Sequence, residues 1–485
     1  MATPAGKPAP GIDIVANTAR ALRDHDLRGA LGRLSALRQL RAAAVAEVPE
    51  WETLRAAAAA AKDHALAHLD EYLPQLEARV TALGGAVHWA PDAAAARRII
   101  VDLARARGVR SIVKSKSMVS EEIHLNGALQ AAGIRVIETD LGEYVCQLAG
   151  EAPSHLIAPI IHKSVESISA LFAEKLGVPR TDRPEELNRA ARQALRAEFL
   201  AADMGITGVN FAIAETGTVV VVENEGNARL CTTRPRIHLA LMGIEKVLPR
   251  LADLGVLLRL LARSATGQRA SVYASLITGP RRPGETDGPE EFHLVILDNG
   301  RTRLLADPHL RESLRCIRCG ACLNACPVYE RVGGHAYEAV YSGPIGAVIT
   351  PVLEGLDRAG HLPFASSLCG ACAEVCPVKI DIPRMLVEQR RRAVRAGLVG
   401  RADRLLARAW TLTMASPARL ELVAGLARLA QRLVARRGRI DRLPYPFDGW
   451  TAHRAAPPLA RASFRAWWRT ARRGKRGAPA RDRRR

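Results

Sequence analysis

Long apolar runs are missing from this 485-residue chain. No stretch reaches the roughly 18 uncharged apolar residues that a membrane-crossing helix needs. The N-terminus, M-A-T-P-A-G-K-P-A-P-G-I-D, has neither the apolar centre nor the cleavage site of a secretory leader, so a cytoplasmic protein is expected. Cysteine is scarce as well. Two of the nine cysteines, Cys146 and Cys231, stand apart among apolar neighbours, which gives no disulfide framework and reads as two buried, inert thiols. No glycine fingerprint of the Rossmann or P-loop type occurs, nor any flavin or nicotinamide signature, so the chain is not expected to handle a hydride itself. Acidic residues are short only at the C-terminal end. From Arg390 to Arg485 there are 26 Lys/Arg against 5 Asp/Glu, which accounts for the whole net charge of +21.

The other seven cysteines are concentrated in C-I-R-C-G-A-C-L-N-A-C-P, Cys316 to Pro327, and C-G-A-C-A-E-V-C-P, Cys369 to Pro377. The first has the C-x2-C-x2-C-x3-C-P spacing by which bacterial ferredoxins hold cubane iron–sulfur clusters. Three close thiolates serve one cluster, and the fourth, next to proline, serves the other. In the second motif Cys376 takes the fourth place, Cys372 the third and Cys369 the second, while Ser366 stands at the first. The crossed rule gives cluster one Cys316, Cys319, Cys322 and Cys376, and leaves cluster two with Cys326, Cys369 and Cys372. Cluster two is then a three-iron form, or a four-iron cluster with one iron held by water, Ser366 or a partner. Zinc ribbons also use C-x2-C pairs, but seven thiols and two Cys-Pro ends suit a cluster pair better.

Along the chain, residues 1–84 read as a helical region, with Leu22, Leu27, Leu31 and Leu34 at roughly helical spacing and an alanine-rich run from Arg55 to Leu69. Residues 85–300 alternate strands and helices: A-V-H-W-A, a helix over 93–107, S-I-V-K at 111–114, a helix over 121–131 and I-R-V-I-E-T-D at 134–140. These are consecutive βαβ units, so an α/β domain with a mostly parallel sheet is expected. Further strands are read at 217–226, apolar enough to be central, and at 271–277 and 292–298. Residues 301–390 hold the cysteines, and the 42 residues between Cys326 and Cys369 predict extra helices within a helical ferredoxin-type module. A helical region follows over 391–453, with Leu405, Leu406, Leu412, Leu420, Leu422 and Leu426 as apolar contacts. A basic tail over 454–485 has the composition of a disordered end, or of a tether to an anionic surface, with Phe464, Trp467 and Trp468 interleaved.

Polar groups in the α/β region offer weaker readings. Lys114-Ser115-Lys116-Ser117 lies at a strand's carboxyl end, with Ser120 as a cap for the next helix, and suits either an anion site or an ordinary turn. His155 and His162 with Glu151 read as metal ligands or as surface and capping residues. Glu215, Asn224, Glu225 and Asn227 gather polar groups around the strand at 217–226, which turn chemistry also explains. No catalytic residue is assigned.

Several stretches carry a resemblance to a known family: S-K-S-M-V-S-E-E-I-H-L-N at 115–126, E-T-D-L-G-E-Y at 138–144, T-G-V-N-F-A-I-A-E-T-G at 207–217, N-E-G-N-A-R at 224–229, I-E-K at 244–246, H-L-V-I-L-D-N-G-R at 293–301 and both cysteine motifs. Over roughly residues 50–390 the chain resembles the lactate-utilisation protein B family, iron–sulfur subunits of a three-protein bacterial system that oxidises L-lactate to pyruvate. The resemblance implies that the α/β part is a LUD domain, similar to the sugar-phosphate isomerase and CoA-transferase fold. It implies two [4Fe–4S] clusters on the same seven cysteines, with three named for the second. It further implies A-type and C-type partner subunits and an electron-transfer component rather than a complete enzyme. The alternative is that the α/β domain binds or transforms a carboxylate or phosphate near Lys114 and Glu215, with the clusters accessory. No nucleic acid is expected as partner. Contact with the inner membrane face through the tail is a further expectation.

Overall fold

The computed structural model describes residues 11–435, 438–444, 447–452 and 454–476. Residues 477–485 of the basic tail lie outside them. Among the described residues, ten strands form two sheets. They are β1 (Ala86–Ala90), β2 (Ser111–Lys114), β3 (Arg135–Glu138), β4 (Met204–Gly208), β5 (Phe211–Ile213), β6 (Thr218–Glu223), β7 (Ile237–Gly243), β8 (Val247–Leu248), β9 (Tyr273–Ile277) and β10 (Glu291–Leu297).

The larger sheet has the order β1-β10-β7-β4-β2-β3 and every pair is parallel. A parallel sheet covered on both faces calls for strands that are apolar on both faces, and β7, I-H-L-A-L-M-G, is buried at every position. Alternate residues serve opposite sides. Leu239 and Leu241 pack with Ile100 and Val295, and Ala240 and Met242 join the core on the other face. β4 lies so close to the helix Asn227–Thr233 that a side chain at Gly205 would collide with the Cys231 carbonyl, which fixes glycine there.

The smaller sheet, β8-β5-β6-β9, was not anticipated from the sequence. The strand read at 217–226 is β6, an inner strand, but it belongs to this sheet and pairs antiparallel with β5 and β9. The central strands β4 and β7 of the parallel sheet were not read as strands. The helix expected over 121–131 is two, Met118–Glu122 and Leu125–Ala131, broken at His124 with φ of 49°.

The described part of the N-terminal region is helical as expected, in five segments from Ile14–Ala21 to Leu69–Ala82. One apolar core joins these helices, one face of the parallel sheet and the cysteine-rich module, from Ile12 through Leu76, Met242 and Leu323 to Leu386. Helices do separate the two cysteine motifs, the longest being Gly343–Leu353. All of this forms a single compact unit through Leu398.

The chain from Val399 forms a second unit, with helices Arg401–Met414, Pro417–Val434 and Phe464–Arg476. The last of these falls within the tail that composition reads as disordered. Leu405, Leu406, Leu412, Leu422 and Leu426, expected as apolar contacts, are exposed instead.

Candidate metal centre

The two cysteine motifs share one local conformation. In each, the second cysteine lies between two residues in the left-handed region: Arg318 and Gly320 at φ of 61° and 73° around Cys319, and Leu368 and Gly370 at 55° and 89° around Cys369. A short helix then carries the third cysteine, Ala321–Ala325 in the first motif and Ala371–Glu374 in the second, before the Cys-Pro end. Such turns aim backbone N–H groups at sulfur. Arg318 N donates to Cys316 Sγ at 3.4 Å, Tyr329 N to Cys326 Sγ at 3.5 Å and Ile380 N to Cys376 Sγ at 3.4 Å. Ser366 Oγ accepts from Leu368 N at 3.1 Å, the counterpart of the Arg318–Cys316 bond.

The thiols fall into two electrostatic sets. Cys319 is pushed up to about 12 by burial and then by Cys316 and Cys376. Cys322 is raised by burial and by Cys316, Cys319 and Cys376. Cys372 is pushed up to about 12 by burial and then by Cys326 and Cys369. Each set therefore takes three sulfurs or two from one motif and the remainder from the other. Cys369 is the exposed member and is lowered by hydrogen bonds from Ala371 N and the Ser367 side chain. The donor set fits iron–sulfur chemistry: closely spaced soft thiols, mostly buried, with N–H groups directed at sulfur.

Buried cations surround the first set. Lys62 and Lys246 are both pulled down to about 8, chiefly by burial, and both feel Cys316. Arg55 donates to Cys376 O at 2.9 Å and Ala373 O at 3.2 Å, and Arg41 donates to Val375 O at 2.9 Å. Arg318 stacks over Tyr341 at 4.4 Å. None of these was singled out from the sequence. A signal existed: Arg55, Ala58, Ala59, Lys62, Ala65 and Leu66 recur at helical spacing and are all buried, so two cations sit on an otherwise apolar face.

A fully buried network ties the sheet to this module. Arg301 meets Glu245 at 2.6 Å and Glu122 at 2.8 Å, and Tyr341 donates to Glu122 at 2.6 Å. Burial alone would raise Glu245, but Arg301, Lys246 and Arg318 outweigh it and hold the carboxyl at about 2.

The weaker candidates resolve differently. Lys114 is buried against Glu138 at 2.8 Å, Glu121 at 3.1 Å and Ser120 at 3.0 Å, so it is spent on its own carboxylates and offers nothing to an anion. The helix cap is Ser117, accepting from Ser120 N, and not Ser120. His155 is committed to Asn324 at 3.0 Å and to the N–H groups of Ile157 and Ala158. His162 does approach Glu151 at 3.5 Å, beside His335, but Lys163 pairs with the same Glu151 oxygen at 2.5 Å and supplies the positive charge a metal would bring. Glu215 caps the helix Leu251–Thr266 through Leu251 N at 2.9 Å. Asn224, Glu225 and Asn227, by contrast, line a cavity of about 270 Å³ at the carboxyl ends of β2, β3, β4 and β7, together with Lys116, Lys246 and Arg318. Cys146 and Cys231 are buried and belong to neither thiol set.

Comparison with known proteins agrees with this architecture. Residues 73–297 match the LUD domain and residues 312–380 match a 4Fe-4S dicluster domain, so the seven cysteines belong to a module for two 4Fe–4S clusters. The lactate utilization protein B of Bacillus licheniformis is 45% identical over 452 residues, 93% of this chain and 94% of the relative. That of Geobacillus kaustophilus is 45% identical over 432 residues, 89% of this chain and 90% of the relative. An uncharacterized electron transport protein of Escherichia coli K12, YkgF, is 45% identical over 430 residues, 88% and 89% of the two chains. A crystal structure of a DUF162 family protein from Deinococcus radiodurans aligns with a TM-score of 0.26 at 16% identity, over 47% of this chain and 98% of its own. With identity of this degree sustained along nearly its whole length, the chain belongs to the lactate utilization protein B family.

Proposed function

We propose that this chain is the electron-transfer subunit of a system that oxidises L-lactate to pyruvate, working between partner subunits of A and C type and a downstream acceptor. Bound iron–sulfur clusters supply one-electron exchange with little rearrangement. In this reading Cys316, Cys319, Cys322 and Cys376 hold one cluster, and Cys326, Cys369 and Cys372 hold the other. The observation that carries it is the exchange of members between motifs: Cys376 acts electrostatically on the first set, and Cys326 on the second. Crossed ligation makes neighbours of the two clusters, as one-electron transfer between them requires. The protein's own residues exclude water from five of the seven thiols and set cationic groups around Cys316, which favours added negative charge there.

Anaerobically purified full-length protein should carry about eight irons. Cys376→Ala should remove one cluster's EPR signal, and Cys372→Ala the other. With both partner subunits present, L-lactate should bleach the visible absorption, and it should not do so for this chain alone. Absence of bleaching in the complete system would defeat the electron-transfer reading; loss of the same signal in both variants would defeat the ligand assignment.

The second unit supports peripheral attachment to an anionic membrane. Helices Arg401–Met414 and Pro417–Val434 bury no residue, and Leu433, Leu422 and Leu405 are 86%, 65% and 64% exposed amid arginines. Phe464, Trp467 and Trp468 stand exposed at the start of the last helix. Apolar insertion and basic attraction add, the latter by about 1 kcal/mol per residue near an anionic surface. Sedimentation with anionic liposomes at low salt tests this, and a protein that stays in the supernatant is not a tethered one.

A further inference from the structure

A groove of about 890 Å³ lies between the helices Pro184–Ala201 and Asn227–Thr233, apart from the cysteines. Arg189, Arg192 and Arg196 line it from the first helix, and Arg234 from the end of the second. Positions 189, 192, 196 and 200 are three or four residues apart and share one face of their helix, while Leu187, Ala191, Leu195 and Phe199 bury the other. All four arginines are exposed, and none of their guanidinium groups makes a hydrogen bond or ion pair among the described residues.

Carboxylates of the same helix are spent elsewhere. Glu186 pairs with Arg183 at 2.9 Å, Glu198 pairs with Arg135 at 2.9 Å, and Glu185 does not line the groove. Among the described residues, the single carboxylate of the lining is Glu225. It accepts from Leu141 N at 3.2 Å and is pushed up to about 7 by burial and then by Asp140, which weakens it as a counter-charge at neutral pH. The arginine-rich composition of the chain does not account for this excess. Residues 1–389 carry no net charge, so four arginines against one weakened carboxylate is a local concentration. Apolar side chains stand among them, Leu200 being 54% and Leu230 45% exposed, and no described lysine lines the groove. Arginine around an exposed apolar centre, without lysine, is the composition of a protein interface.

We propose that this groove docks an acidic amphipathic helix of a partner subunit, its carboxylates on Arg189, Arg192, Arg196 and Arg234 and its apolar side chains on Leu200 and Leu230. A groove between two helices admits a third, whose apolar stripe enters while the flanking Asp or Glu side chains, one turn apart, meet the guanidinium forks. From Arg189 to Arg196 the cations extend over about 10 Å of helix, which suits an acidic surface rather than one small anion. Taking a partner subunit as the occupant rests on the electron-transfer role proposed above.

The test is surface plasmon resonance of the anaerobic full-length holoprotein against each purified partner subunit at several salt concentrations. One partner is expected to bind, with an affinity that falls steeply as salt rises. Arg192→Glu combined with Arg196→Glu should weaken that binding roughly tenfold or more, chiefly through slower association, with iron content and urea midpoint unchanged. Arg98→Glu combined with Arg105→Glu, the same change of charge on exposed arginines of the helix Ala93–Ala106, should leave it unaltered. Native affinity in the groove variant, equal weakening in the control variant, or no binding of either partner to the native protein would overturn the proposal. Loss of binding to anionic liposomes or to a single-stranded oligonucleotide, with partner affinity intact, would assign the arginines to that surface and overturn it as well. Partner binding lost in the groove variant, without lactate-driven bleaching of the complete native system, removes electron transfer and keeps the groove. Bleaching of the groove variant at the native rate removes the groove and keeps electron transfer.

Discussion

At the scale of single residues, the most informative atom is Ser366 Oγ. It holds the same backbone hydrogen bond in the second motif that Cys316 Sγ holds in the first, so a sulfur at 366 would face the second thiol set as Cys316 faces its own. Ser366→Cys is therefore expected to slow iron loss from the second cluster. Iron and sulfide analysis after timed exposure to air checks this, and unchanged loss would show that the two turns are not equivalent around the metal. His238, fully buried on β7, is pushed down to about 3 by burial and then by the charge of His293. A histidine neutral when folded and free to protonate when unfolded contributes stability that is whole above about pH 6.5 and declines as pH falls toward 3. The decline reaches about 1.4 kcal/mol per pH unit. Urea unfolding of the native chain should show stability falling from pH 7.5 to 5, with His155 and His162, also pushed down by burial, adding to the slope, and His238→Gln should lessen it by up to about 1.4 kcal/mol per pH unit.

At the scale of elements, the N-terminal helices do more than cover the sheet. Arg55 on Trp51–Ala67 and Arg41 on Arg33–Ala46 donate to the carbonyls of residues 373, 375 and 376, the segment that leads into the second Cys-Pro end. Arg55→Ala leaves Cys376 O without its buried partner, a loss of about 1–3 kcal/mol, and frees the loop that carries a thiol of the first set. The expected outcome is a lower urea midpoint together with faster loss of the cluster that also disappears in Cys376→Ala. A variant with native cluster lifetime would reduce the helix to packing alone. The central strands argue a related point. β4 contains two glycines and a threonine, M-G-I-T-G, so it lacks the uninterrupted apolar run that marks a buried strand, although its neighbours enclose it.

At the scale of the whole molecule, the continuous core from Ile12 to Leu386 makes the sheet, the N-terminal helices and the cysteine module one cooperative body. A chain ended after Leu398 is accordingly expected to keep its full iron content and its unfolding midpoint, while losing any association with anionic liposomes. Metal analysis, urea titration and sedimentation on the same preparation check the three parts together. Loss of iron on truncation would show that the second unit supports the clusters.

Local spacing was enough to read a module for two 4Fe–4S clusters, since three or four thiols within a dozen residues are brought together by a single turn. The βαβ pattern, the N-terminal helices and the concentration of charge at the C-terminal end were equally legible, because each is written in contiguous residues. The tertiary fold alone decided which lysines matter. Lys114 and Lys116 are two positions apart and look alike in sequence, yet one is neutralised by Glu138 and Glu121 while the other faces an open cavity. Lys62 and Lys246 come from two distant segments, and only packing brings their charges to Cys316. Charge acts through space, and a sequence records only distance along the chain.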